Sequence, residues 1–104
     1  MLIRNIKEFL KLTFKRKLIC LDIGKKRTGI AISDQNHKIS LPLKVIKKDM
    51  EFYAKILEIL KEFSIGGIIV GIPLNSDEKI NKMSQTIDDI TKNINQFLLE
   101  NNVD

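Results

Sequence analysis

The sequence has no tryptophan, and only one cysteine, one histidine and two prolines among its 104 residues. With Cys20 alone, no disulfide can form within the chain, and we expect a small buried thiol in a reducing compartment. His37 has no second histidine or further cysteine with which to complete a metal site, so we expect it to lie exposed in a loop. Long apolar runs are also missing, which argues against a membrane-spanning helix, and the N-terminus lacks the features of a secretory signal. These absences together predict a cytoplasmic protein.

The composition is that of one globular domain, with 43% hydrophobic and 30% charged residues. The charge is unevenly distributed. Residues 1–17 hold six basic residues and one acidic residue, which accounts for the whole formal net charge of +5. Residues 18–48 are again mainly basic, and residues 49–104 are mainly acidic. This asymmetry favours a polyanionic partner, nucleic acid before a membrane, and solvated surface charge is the alternative explanation of each cluster.

Residues 1–17 have the spacing of a basic amphipathic helix. Such a helix could be a nucleic-acid arm or a membrane-surface segment. It could equally be a docking helix that covers an open face of the domain, and this interpretation is favoured because core burial explains most amphipathic helices in small domains. We therefore expect a first segment, 1–17, followed by a domain, 18–104.

The stretch from Leu18 to Asp34 predicts a strand, a glycine-containing basic turn and a second strand. Apolar residues flank Asp22, so we expect its strand to be covered on both faces. A carboxylate is costly in such a place unless a cation neutralises it. The cation could be a metal ion or one of the basic residues Lys25, Lys26 and Arg27, and an Asx-type hydrogen bond that caps the turn is the structural alternative.

The rest of the chain predicts an α/β fold. Alternating apolar residues indicate a third strand at 39–45, antiparallel to the second, and Pro42 places it at a sheet edge. The remaining patterns predict a helix at 50–63, a strand at 68–70, a ligand-binding loop at 71–77, a helix at 79–101 and the approach to another strand at 101–104.

Three pieces of this sequence together carry a family resemblance. The first piece is Asp22-Ile23-Gly24 with Lys26-Arg27 and Gly29 to Asp34. The second is Leu41-Pro42-Leu43, and the third runs from Val70 to Asn75. In this order and spacing they resemble one bacterial family, the YqgF-type nucleases described as Holliday junction resolvases or pre-16S rRNA nucleases, which have an RNase H-like fold. The resemblance implies a mixed sheet in the order 3-2-1-4 with crossover helices, preceded here by the extra N-terminal helix.

The resemblance also implies a metal-dependent nuclease that processes the 5′ end of pre-16S rRNA in ribosome biogenesis. Asp22 would be the catalytic carboxylate and a ligand of Mg²⁺ or Mn²⁺, and Lys25, Lys26 and Arg27 would bind structured RNA or branched DNA. The active-site loop residues would be Gly24, Gly71, Pro73 and Asn75.

The family continues with a fifth strand, a last helix and further acidic residues, for which this sequence has no counterpart. We therefore expect a truncated domain that holds a metal weakly, because one carboxylate binds Mg²⁺ poorly. We also expect the strand at 68–70 to have an open edge, available for self-association or a complementing chain. Two alternatives stay open: an inactive nucleic-acid-binding remnant, and a nucleotide-binding fragment of the actin, Hsp70 and sugar-kinase superfamily.

Overall fold

The structure, a computed structural model, describes residues 2–72 and 78–103. Within these ranges three helices and four strands follow one another in the order α1 Ile6–Leu12, β1 Lys17–Ile23, β2 Arg27–Ser33, β3 Ser40–Lys47, α2 Phe52–Glu62, β4 Ile65–Val70 and α3 Glu78–Glu100. The α/β class predicted from the sequence is confirmed. The three predicted helices and four predicted strands are present in the described ranges, with ends that differ by up to five residues.

The four strands form one mixed sheet in the order β3-β2-β1-β4. β1 pairs antiparallel with β2, and β2 pairs antiparallel with β3. β4 lies parallel to β1 on its other side, after the crossover through α2. The predicted order 3-2-1-4 is therefore confirmed, and Pro42 lies in an edge strand, where its missing N–H group disturbs no central ladder.

One face of the sheet carries the hydrophobic core. Side chains of alternate residues in β1 and β2 point to this face and meet α2 and α3, as the period of two in a strand requires. The buried core residues are Ile19, Leu21, Ile23, Ile30, Ile46, Phe52, Ile56, Ile59, Leu60, Ile87 and Ile94. Within the described ranges, no helix has both the length and the apolar composition needed to cross a membrane.

The opposite face, here called the open face, shows that two expectations for β1 were wrong. β1 is not covered on both faces, because Asp22 and Cys20 are exposed. α1 covers only the beginning of the strand, where Leu18 is buried. Both helices that follow β3 pack on the core face, so apolar sequence on either side of Asp22 did not mean burial of Asp22 itself.

α1 is shorter than the predicted helix, and Asn5 caps its N-terminus by accepting hydrogen bonds from the backbone N–H groups of Lys7 and Glu8. It approaches the sheet through Phe9 and Thr13, which lie over Gly67 of β4. Most of its apolar residues are exposed, including Ile6, Leu10 and Leu12. The helix thus docks on the sheet through a narrow contact.

Two other segments differ from expectation. α3 ends in a Schellman motif: Asn102 has a φ of 62° and the N–H of Val103 donates to the Leu98 carbonyl over 2.7 Å, so residues 101–103 form a turn. In the β2–β3 loop His37 is half-buried, not exposed, and its Nε2 lies 2.7 Å from the Arg16 carbonyl oxygen.

Asp34 holds the β2–β3 loop together. Its carboxylate accepts hydrogen bonds from the backbone N–H groups of Asn36, Lys38 and Ile39 over 3.3, 2.8 and 2.9 Å. These donors, the Ile39 N–H foremost, lower the pKa of the Asp34 carboxyl below 3.8. The loop therefore has a defined conformation at neutral pH.

Candidate functional site

Asp22 lies near the carboxyl end of β1 on the open face of the sheet, with a glycine on each side. Its cross-strand partner in β2 is Gly29, and a Cβ atom at Gly29 would lie 3.9 Å from the Asp22 Cβ. On the other side Gly71 directly follows β4, and its N–H donates to the Leu21 carbonyl over 3.2 Å. Because neither glycine has a side chain, space is open around the Asp22 carboxylate.

No side chain or backbone group among the described residues donates a hydrogen bond to the Asp22 carboxylate, and no cation there lies within 4 Å of it. Asp22 therefore does not cap the turn, and it is not neutralised by the neighbouring bases. The argument from burial was wrong, because the carboxylate faces solvent. The Asp22 carboxylate is thus exposed near the end of β1, without a partner among the described residues.

The β1–β2 turn that follows Asp22 is held by backbone hydrogen bonds. Gly24 donates to the Arg27 carbonyl over 2.8 Å, and a Cβ atom at Gly24 would approach that same oxygen to 3.0 Å. This close approach accounts for glycine at the position. Lys25, Lys26 and Arg27 are all exposed, so the basic residues of the turn point outward as expected.

Tertiary structure adds two lysines that sequence reasoning did not assign to the site. Lys47 is the cross-strand partner of Arg27, and both lie on the open face two residues beyond the Val45–Gly29 pair. Lys48 is half-buried and donates from Nζ to the Gly24 carbonyl over 3.0 Å, while its N–H donates to the Lys26 carbonyl over 3.0 Å. Extending the predicted third strand by two residues in register would have revealed Lys47.

These residues form a cationic rim around the end of the sheet, made of Lys25, Lys26, Arg27, Lys47 and Lys48. The described residues contain no carboxylate within 4 Å of any of these side chains. Of the predicted active-site loop, Gly24 and Gly71 are found beside Asp22. Pro73 and Asn75 lie outside the described residues.

The side chains near Asp22 show whether this site has suitable ligands for a divalent metal ion. A carboxylate oxygen is the ligand type that Mg²⁺ and Mn²⁺ prefer, and the exposed position of Asp22 between two glycines leaves room for a hydrated ion. In residues 2–72 and 82–103 no group of three or more His, Cys, Asp or Glu side chains comes together. Asp22 therefore fits the role of one ligand, and the described residues do not supply a full protein ligand set.

Comparison with known proteins finds relatives that share one name. A protein from Pelagibacter ubique named "Putative pre-16S rRNA nuclease" is 38% identical over 97 residues, which cover 90% of this chain and 64% of that protein. Proteins with the same name from Rickettsia bellii and a Wolbachia endosymbiont of Drosophila simulans are 32% and 39% identical, over 91% and 84% of this chain.

The chain spans less than two thirds of the length of these relatives, 64%, 66% and 58% respectively. The family model described as "RuvX: Holliday junction resolvase" matches residues 16–103, a range that begins just before β1 and ends after α3. The chain therefore belongs to the RuvX family of Holliday junction resolvases, and its mixed four-stranded sheet is consistent with that membership.

Proposed function

We propose that this chain carries the nucleic-acid-binding end of a metal-dependent nuclease site that hydrolyses phosphodiester bonds during 5′-end processing of pre-16S rRNA. One observation carries the proposal: a free, exposed Asp22 carboxylate stands between two glycines beside a cationic rim. The names of the relatives point to the substrate. Such a role places the protein in the cytoplasm, with structured RNA, or a branched DNA of similar backbone geometry, as its partner.

The chain's own residues would act on the substrate in three ways. Arg27 and Lys47 lie next to each other on the open face, so their charges attract and orient phosphate groups at the same end of the sheet as Asp22. Lys25 and Lys26 extend the positive field outward from the turn. Because Gly29 and Gly71 have no side chains, the surface beside the Asp22 carboxylate is open, and the sugar-phosphate backbone of a nucleic acid can approach it.

Asp22 would hold a Mg²⁺ or Mn²⁺ ion through its carboxylate, with water and substrate oxygens as further ligands. When bound, such an ion supplies Lewis-acid stabilisation and an activated water for phosphodiester hydrolysis. Because Asp22 accepts no hydrogen bond from the described residues, its oxygens are available without first breaking an interaction. This differs from Asp34, whose carboxylate is occupied by backbone donors.

A second candidate function is nucleic-acid binding without catalysis. It is favoured by the finding that the described side chains provide one candidate ligand rather than a cluster. The cationic rim serves this function equally well. A nucleotide-binding fragment of the actin, Hsp70 and sugar-kinase superfamily is disfavoured, because the family match covers residues 16–103.

Isothermal titration with Mn²⁺ distinguishes the two candidates. For the nuclease, the wild-type chain gives binding heat that Asp22→Asn abolishes, whereas the matched control Asp34→Asn keeps it. For the binding remnant, RNA affinity is the same with and without metal and is unchanged in Asp22→Asn. Equal metal heats for wild type and Asp22→Asn would refute the assignment of Asp22.

The edge of β4 is a further part of the proposal. Among the described residues β4 pairs only with β1, so its outer backbone groups are available to a complementing chain or a second copy. Native mass spectrometry measures this directly. A concentration-dependent dimer supports pairing at the edge, and a folded, monodisperse monomer at high concentration contradicts it.

A further inference from the structure

A second cationic site lies at the beginning of β1, at the opposite end of the strand from Asp22. It is a cleft of about 480 Å³ between the α1–β1 connection, the β2–β3 loop and the C-terminal end of α2. Its lining residues are Lys15, Arg16, Lys17, Gln35, Glu62, Phe63 and Ser64. Neither the predicted site residues nor the family resemblance assigned a role to this cleft.

The charge of the cleft is not balanced from within. Three consecutive bases face one acid, Glu62, and no ion pair within 4 Å joins Glu62 to any of them in the described structure. Lys15 and Arg16 are exposed, and Lys15 Nζ lies 5.5 Å from the centre of the Phe14 ring. A bound anion would balance the excess positive charge of this cleft.

The bases are held in place by contacts that tie their backbone to the domain. Arg16 lies across Gly66 so closely that a Cβ atom there would come within 2.5 Å of the Arg16 Cβ. On the other side, the Arg16 carbonyl oxygen lies 2.7 Å from His37 Nε2, and His37 belongs to the loop that Asp34 organises. The cleft is therefore preformed on both sides.

Lys15 has an unusual backbone conformation. Its φ of 57° lies in the left-handed region, where glycine or asparagine has the lower conformational cost. A basic side chain occupies the position nonetheless. Lys15, Arg16 and Lys17 all line the cleft, and the Arg16 guanidinium also donates to the Ile65 carbonyl over 3.5 Å.

We propose that this cleft binds backbone phosphates of the same nucleic acid that reaches Asp22, as a second contact that fixes the position of the strand. The proposal rests on the proposed nuclease function. Lys17 alternates with the open-face residues and lies on the same side of β1 as Ile19 and Leu21, so the ligand would pass around the end of the sheet to reach Asp22. Along β1 the two residues are about 17 Å apart, at about 3.3 Å per residue. Contacts at both cationic ends of the sheet would together determine which phosphodiester bond lies beside Asp22.

The test compares two double variants with equal loss of charge. Lys15→Gln with Lys17→Gln neutralises the cleft, and Lys7→Gln with Lys11→Gln neutralises exposed lysines of α1. Fluorescence anisotropy with a labelled single-stranded RNA of about 20 nucleotides gives affinity at several salt concentrations. Loss of two phosphate contacts lowers the slope of log K against log salt by about 1.4 in the cleft variant. The α1 variant keeps the wild-type slope.

Equal slopes of log K against log salt for the two double variants would overturn the proposal. RNA affinity would then depend on the number of positive charges and not on their position in the cleft. Inorganic phosphate is titrated in parallel: if it loses affinity for the cleft variant while RNA does not, the site is one for free phosphate and the proposal is wrong. Both variants should keep the wild-type thermal midpoint and Mn²⁺ heat. A wild type without Mn²⁺ heat refutes the nuclease function but leaves the RNA comparison valid.

Discussion

Gly67→Ala tests whether α1 is a docked part of the domain. An added Cβ at this position would lie 2.7 Å from Phe9 Cζ, 2.8 Å from Thr13 Cγ2 and 2.9 Å from Leu18 Cδ2. All three distances are shorter than van der Waals contact, and the nearest atom belongs to a rigid ring. We expect a loss of about 1–3 kcal/mol in the free energy of unfolding, typical of overpacking. For a chain of this size, each kcal/mol lowers the melting temperature by about 4–8 °C.

Gly71→Ala is the matched control. The nearest atom to its added Cβ is the Leu21 carbonyl oxygen at 3.9 Å, an ordinary contact, so stability should change by less than about 0.5 kcal/mol. Urea denaturation followed by circular dichroism measures both variants. Adding Phe9→Ala to Gly67→Ala should give a double variant more stable than the sum of the single effects predicts, by about 0.5 kcal/mol or more.

A Gly67→Ala protein as stable as wild type would refute the packing of α1 on β4. So would strict additivity with Phe9→Ala, because the two residues would then not be in contact. Either result would favour the nucleic-acid arm, the alternative interpretation of residues 1–17, over the docked helix.

Three further outcomes are expected. Thr28→Val should stabilise the fold by about 1 kcal/mol in urea denaturation, since Thr28 Oγ1 is buried without a partner among the described residues, whereas Thr13→Val removes a 2.8 Å hydrogen bond to the Phe9 carbonyl and should destabilise it by a similar amount. Because the pKa of Asp34 is lowered, its contribution is present above pH 3.8 and is lost as the pH falls through the lower folded value; amide NMR shifts of Lys38 and Ile39 should titrate there in wild type but not in Asp34→Asn. Asp22→Asn should leave the melting temperature unchanged, and a clear decrease would show that the carboxylate is structural.

The sequence was sufficient for the fold because its local patterns are consistent with one another. The apolar run of β1, the glycine-containing turn before β2, the alternation in β3 and the spacing of apolar residues in α3 each predicted the observed element. The strand order followed from the family resemblance and is confirmed. The position of Asp22 at the end of β1 followed from the same pattern. The basic turn at Lys25 to Arg27 was exposed as predicted, since charged turn residues have no favourable place in a core.

What the sequence alone could not determine is which face of the sheet each helix covers. That depends on the crossover direction and on packing between distant segments, so Asp22 and Cys20 were wrongly expected to be covered. Cross-strand register likewise brought Lys47 beside Arg27, and long-range contacts built the cleft from Lys15 to Lys17 with the end of α2. The local sequence determines which side chains share one face of a strand. Only tertiary packing decides which of those side chains meet solvent, and which charges meet one another.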